Sequence, residues 1–204
     1  EDLVVVGNHG RTSGGGLYVR FSPAVVTASL IATNTASWGG GIYAFGSDQA
    51  LIHSNVVQGN HADVLAGGVY IRQGDSALQK NTIFGNSAER AGGVLVYLGD
   101  ASVAGNVIEG NTAVYAGGGH LWSSGTEFRS NCVIANSSSG FGGGLWVESS
   151  SAQVLDNIFQ ENEAEYGGAV HVLGSDLGLL KGNILSDNHA ERRGGGIYVQ
   201  RSSL

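Results

Sequence analysis

A glycine pair or triplet followed by a short apolar segment recurs eight times in this chain, and the interval hardly drifts. The copies begin at Gly14-Gly15-Gly16-Leu17-Tyr18-Val19, pass through Gly67-Gly68-Val69-Tyr70-Ile71 and end at Gly194-Gly195-Gly196-Ile197-Tyr198-Val199, in steps of 25 to 27 residues. A fixed period of this size marks a stacked-repeat architecture, because one unit buries its apolar side only against the copies above and below it. The unbroken repeat predicts a single solenoid domain over residues 1–204.

Asparagines five apart run in phase with the glycines: Asn55/Asn60, Asn81/Asn86, Asn106/Asn111, Asn131/Asn136, Asn157/Asn162 and Asn183/Asn188, with Asn8 and Asn34 at the second position of two further copies. Asn tolerates the left-handed backbone of tight corners and bonds neighbouring backbone groups. Stacked at one corner of successive coils, its amides can form ladders. These asparagines read as structural rather than as ligands.

Three short strands fit into each repeat: one after the glycines, one before the first Asn, and one between the paired asparagines. Period-two alternation marks them as strands, and no helical period of useful length appears. The alternation places Ile42, Val69, Val94, Leu145, Val170 and Ile197 inward in one file. Ile52, Leu78, Val103, Phe128, Val154 and Leu180 make a second, and Val57, Ile83, Ile108, Val133, Phe159 and Leu185 a third. Ala36, Ala62, Ala88, Ala113, Ala164 and Ala190 supply a small file at the corner before the glycines. The expected fold is all-β: a three-sheet parallel β-helix of about eight coils of about 26 residues, right-handed because strand twist favours right-handed parallel crossovers.

A net charge of −7 without any run of Lys or Arg argues against nucleic acid or an anionic membrane as partner. No apolar run is long enough for a membrane-spanning helix. The one cysteine, Cys132, excludes an intrachain disulfide and reads as a small hydrophobe. The chain has no methionine, begins at Glu1 without a signal-peptide pattern, and offers no cap at either end. It therefore reads as an excerpt of a longer solenoid or multi-domain chain, and its open strand edges invite further coils or end-to-end self-association.

The repeat resembles that of the polymorphic outer-membrane proteins of bacterial autotransporters, whose signatures are GGA followed by an aliphatic residue, and FxxN. The first stands literally at Gly167-Gly168-Ala169-Val170 and in degenerate form in the other copies; the second stands at Phe159-Gln160-Glu161-Asn162. That resemblance implies a pectate-lyase-like right-handed β-helix on a secreted or surface-displayed protein, often adhesive. The same solenoid also serves uronide lyases, epimerases and glycoside hydrolases, so the fold does not decide the function.

Two groups of residues are candidate sites. In the strand after the glycines, alternation turns Tyr18, Tyr43, Tyr70, Leu95, Leu121, Trp146, His171 and Tyr198 outward, with Tyr97 on the same face. An exposed aromatic file at strand spacing could stack sugar rings or centre a protein contact, for a polysaccharide or surface-protein partner; rings stacking only on one another would explain it equally. Trp122 is left facing either way. For catalysis, the best cluster is Glu161, Glu163 and Glu165 with His189, Glu191 and Arg192, though a solvated, ion-paired surface explains it as well. Asp48, Asp75, Asp100 and Asp176 read as turn residues, one per coil. No cofactor or metal is called for, since His9, His61 and His189 lie too many coils apart to share an ion. The expected function is a non-enzymatic, extracellular or cell-surface structural and adhesive segment; the alternative is a polysaccharide-active enzyme.

Overall fold

The computed structural model describes residues 1–175 and 179–202, and among them every regular element is a strand. One turn runs through Val56–Gln58, His61–Leu65, Val69–Arg72 and Ala77–Gln79 before the chain returns one layer on at Thr82–Phe84. Each strand pairs in parallel with its equivalents in the turns before and after. The result is three sheets of eight strands and one of seven, so the described residues make seven full turns and three strands of an eighth. Sheet I holds the strands between paired asparagines, sheet II those after the second asparagine, sheet III those after the glycines and sheet IV those before the first asparagine.

The three expected sheets are therefore four. The addition is sheet II, which the sequence presents as a corner. Its strands do alternate, but their inward residue is Ala36, Ala62, Ala88 or Ser138 rather than a branched aliphatic, so no hydrophobic period marks them. The glycines explain the small residue. A Cβ on Gly40 would collide with the His61 carbonyl of the next sheet II strand, and one on Gly41 would lie 2.6 Å from the Gly68 carbonyl oxygen. Glycine backbone thus packs directly on sheet II, and the space inside that corner takes little more than a methyl group.

The three inward files stack as expected. Ile42, Val69, Val94, Leu145 and Val170 are buried, as are Ile52, Leu78, Val103, Phe128 and Val154, and Val57, Ile83, Ile108, Val133 and Phe159. Leu180, Leu185 and Ile197 hold the same register near the end of the described solenoid, where Leu180 and Leu185 are partly buried against the core and Ile197 is exposed. Burying each such side chain stabilises the fold by about 1.5–3 kcal/mol.

Both asparagine ladders form. Asn111 shows the pattern: its Nδ2 donates to Asn136 Oδ1 and to the Ile83 carbonyl, each at 3.0 Å. Its Oδ1 accepts from the backbone N–H and the Nδ2 of Asn86, both at 3.0 Å. The buried amide is fully satisfied, which makes its burial favourable. Ser29 continues the first ladder one turn further, its Oγ accepting from the Leu3 N–H at 3.0 Å. The aspartate turns also link, with the Asp100 N–H donating to Asp75 Oδ1 at 2.9 Å. Asp176 lies outside the described residues.

Candidate functional site

The outer faces of sheets II and III meet at the glycine corner, and their side chains touch. Phe141, at the end of sheet II, lies 5.4 Å from Trp146 and 4.9 Å from His171 of sheet III, ring centre to ring centre. Outward-facing rings of adjoining sheets reach each other only if the corner between them is concave. This elbow runs the length of the solenoid.

Three files build it. The near wall is the residue just before the left-handed corner residue: Trp38, Leu65, Arg90, Tyr115, Phe141, Tyr166 and Arg193. The floor is the second residue of each sheet III strand, and two positions on stands the far wall of Arg20, Phe45, Arg72, Tyr97, Trp122, Glu148, Leu173 and Gln200. The floor stacks turn on turn, with Tyr43 and Tyr70 at 4.6 Å and His120 and Trp146 at 4.3 Å between ring centres.

The aromatic file is therefore outward but largely not exposed. Tyr43, Tyr70, Trp146 and His171 are at most 3 % accessible, covered by the two walls, whereas Tyr18 is 49 % accessible and Tyr97 and Tyr198 are half-buried. This corrects the expectation of an exposed stripe. Tyr43, Tyr70 and Leu95 form with Ala66 and Ala91 a second hydrophobic cluster, outside the solenoid's interior. Burial pushes the phenols of Tyr43 and Tyr70 up from their ordinary range.

A second correction concerns the fifth copy of the repeat. His120, not Leu121, stands in the floor, because Gly119 takes the strand position of Val94 and Leu145. Leu121 turns inward and is buried, and Trp122 joins the far wall, 4.3 Å from Tyr97. The pair Gly117-Gly118, rather than the triplet, sets the register; reading the 25-residue step from Gly93 would have found it.

Electrostatically the elbow differs from the rest of the molecule. Among the described residues its files hold four arginines (Arg20, Arg72, Arg90 and Arg193) and one carboxylate, Glu148, in a chain of net charge −7. Arg72 lies over Phe45 and Tyr97, at 5.6 and 5.7 Å from the ring centres. Glu148 Oε2 lies 3.4 Å from Arg90 Nη1 and 3.2 Å from His120 Nε2, the latter contact short of hydrogen-bond geometry. His120 and His171 are buried with both ring nitrogens unpartnered, and desolvation lowers each to a pKa of about 4, with Glu148 opposing that shift. Both imidazoles are neutral at pH 7.

The acidic cluster is spread over the outer face of sheet II. Glu163 and His189 are neighbours in register, and Glu165 Oε1 forms an ion pair with Arg192, 2.6 Å from its Nε. Glu161 sits at the preceding corner, bonded to Gln160 Nε2 at 3.0 Å. Glu191 and Arg192 are exposed, and none of these side chains lines the recesses beside Phe21 and Tyr198. Among the described residues no group of three or more His, Cys, Asp or Glu is placed to hold a metal ion.

A family profile described as right handed beta helix region matches residues 4–133 and, in a second register, 62–204. It covers almost the whole solenoid and agrees with the expected right-handed winding. No curated protein matches the chain.

Proposed function

We propose that this chain, which belongs to the family of right-handed β-helix regions, is a non-enzymatic structural and adhesive segment that works outside the cell or on its surface. The observation that carries this reading is the elbow: a continuous concave seam whose buried rings make it rigid and whose rim leaves part of Tyr18, Trp38, Tyr97, Trp122, Tyr166 and Tyr198 accessible. A rigid seam with aromatic and arginine groups at its lip suits a contact with a polysaccharide or a surface protein, since such groups dominate binding hot spots. The evenness of the turns supports the non-enzymatic side, because no inserted loops raise the walls of a substrate cleft. The GGA and FxxN signatures at Gly167–Ala169 and Phe159–Asn162 support surface display, by their likeness to polymorphic outer-membrane repeats.

Probing an array of glycans and cell-surface proteins with the purified chain tests the proposal. The expected result is binding that falls when Tyr18, Trp38 and Tyr97 are together replaced by Ser, with no bond cleavage in any bound glycan. Release of unsaturated or reducing-end products would instead establish the polysaccharide-active alternative, and binding indifferent to the rim would remove the elbow from the account.

A further inference from the structure

The two walls of the elbow are joined at one point by opposite charges. Arg90 of the near wall donates through Nη1 to Glu148 Oε2 of the far wall at 3.4 Å, and among the described residues no other arginine–carboxylate pair links the walls. The two residues are 58 apart in sequence, so the pair reaches over the intervening turn, which holds His120 and Trp122. On its way the Arg90 guanidinium lies 5.6, 5.0 and 5.1 Å from the ring centres of Tyr115, Trp122 and Trp146. A cation over three rings, tied to the opposite wall, roofs the middle of the floor.

Under this roof lies His120, fully buried, stacked on Trp146 at 4.3 Å and on Trp122 at 5.8 Å between ring centres. Its Nε2 is 3.2 Å from the same Glu148 Oε2 that Arg90 holds. Glu148 and Arg90 are the charged groups that face it. The strand before presents Leu95 and Tyr97, the strand after presents Trp146, and sheet II contributes the Tyr115 phenol beside Arg90. The neutral ring has no hydrogen-bond partner at either nitrogen. A proton makes Nε2 a donor, and among the described residues Glu148 offers the one carboxylate in reach. A single oxygen then stands between two cations, and the imidazolium repels the guanidinium beside it.

We propose that the Arg90–Glu148 pair is an acid-released clasp, which holds the elbow shut at neutral pH and lets Arg90 swing out, uncovering Trp146 and Tyr115, when His120 takes a proton. This switch is independent of what the elbow binds. Its driving force is linkage. Desolvation lowers the shut-state His120 to a pKa of about 4, whereas a solvated imidazole titrates near 6.5, so the open state binds the proton more tightly. Between those values each unit of acidification favours opening by up to about tenfold, and above them the bias vanishes. His171, buried beyond Trp146, is lowered to the same range but makes no ion-pair contact among the described residues. It adds to the acid sensitivity of the fold without acting on the clasp.

The experiment takes the 204-residue chain with Trp146 as its only indole, Trp38 and Trp122 being replaced by Phe. Acrylamide quenching and the Arg90 Nε–H signal in NMR are followed from pH 7 to about pH 4.5, inside the window that linkage sets. Quenching should rise severalfold and the Arg90 signal should move, while far-UV circular dichroism holds. His120→Phe, which keeps a ring in the stack, should abolish both changes. If that variant does not fold, His120→Leu gives the same test, since it repeats the Leu95 side chain in register. Glu148→Gln should leave Trp146 accessible already at pH 7, and His171→Phe should preserve the acid response. Quenching that stays flat, that rises only with loss of the β-sheet signal, or that rises unchanged in the His120 variants would each overturn the proposal. So would a Glu148→Gln protein that is as shut at pH 7 as its parent, or a response that disappears in His171→Phe.

Discussion

The interior and the elbow are both packed cores, yet they are built on opposite rules. Inside, an apolar residue recurs at the same position turn after turn, and among the described residues every buried asparagine amide has its partners. In the elbow the floor changes from Tyr to Leu to His to Trp, and buried polar atoms of Arg72, His120, Trp146 and His171 have no hydrogen-bond partner. A solenoid needs redundancy in its interior, because each turn must fit the next. Its outer seam carries no such constraint, so individuality collects there with most of the unsatisfied buried groups, each costing about 1–3 kcal/mol; Ser124 Oγ and Thr126 Oγ1, between sheets III and IV, are the others among the described residues. Departures from consistency of this kind are expected where a surface has a task besides folding.

The largest effect should come from breaking the interior's redundancy. Asn136→Ala removes bonds to the Ile108 carbonyl at 2.9 Å and to Asn162 Oδ1 at 3.0 Å, together with the acceptor used by the Asn111 N–H at 2.9 Å and its Nδ2 at 3.0 Å. With at least two buried groups left unpaired, the expected loss is about 3–6 kcal/mol in urea unfolding. A loss under about 1 kcal/mol would mean that the ladder decorates the corner rather than holding it.

Next comes a pair of substitutions within the elbow. Tyr70→Ser empties a ring site that is 1 % accessible and should cost about 3–5 kcal/mol, while Tyr18→Ser, at 49 % accessible, should cost less than about 1 kcal/mol. Equal costs would show that the elbow rings are ordinary surface residues. Acid provides a third comparison. His120 and His171 have folded-state pKa values of about 4, against about 6.5 in an unfolded chain, so the unfolded state binds more protons between those values. Their neutral burial is fully tolerated above pH 6.5, and stability falls as the pH drops from 6.5 towards 4, by roughly 2–3 kcal/mol for each histidine. Replacing both with Phe should flatten that limb of the stability profile, and a limb unchanged in the double variant would reject the assignment.

Much of the interior is legible in the sequence because it is periodic: the three aliphatic files, both asparagine ladders and the parallel stacking all follow from spacing. Sheet II is not, because its inward residues are alanines and alternation is seen by its hydrophobic beats. The floor of the elbow is legible as an outward file, but its burial is not. Burial depends on Leu65, Tyr115, Phe141 and Tyr166 leaning across from another sheet, and no local pattern reports the angle between two sheets. A signal existed nonetheless, since a bulky residue precedes the left-handed corner in seven turns, from Trp38 to Arg193. His120 was hidden by a glycine that serves as a strand residue.

The elbow is a second core rather than an exposed stripe. Acrylamide quenching of single-tryptophan variants measures that directly, using Phe to replace the other two indoles. Trp146 is 3 % accessible and Trp38 38 %, so the Trp146-only protein should be quenched several-fold more weakly than the Trp38-only protein at neutral pH. Equal quenching of the two would mean that the walls do not close over the floor, and the elbow as described would not exist.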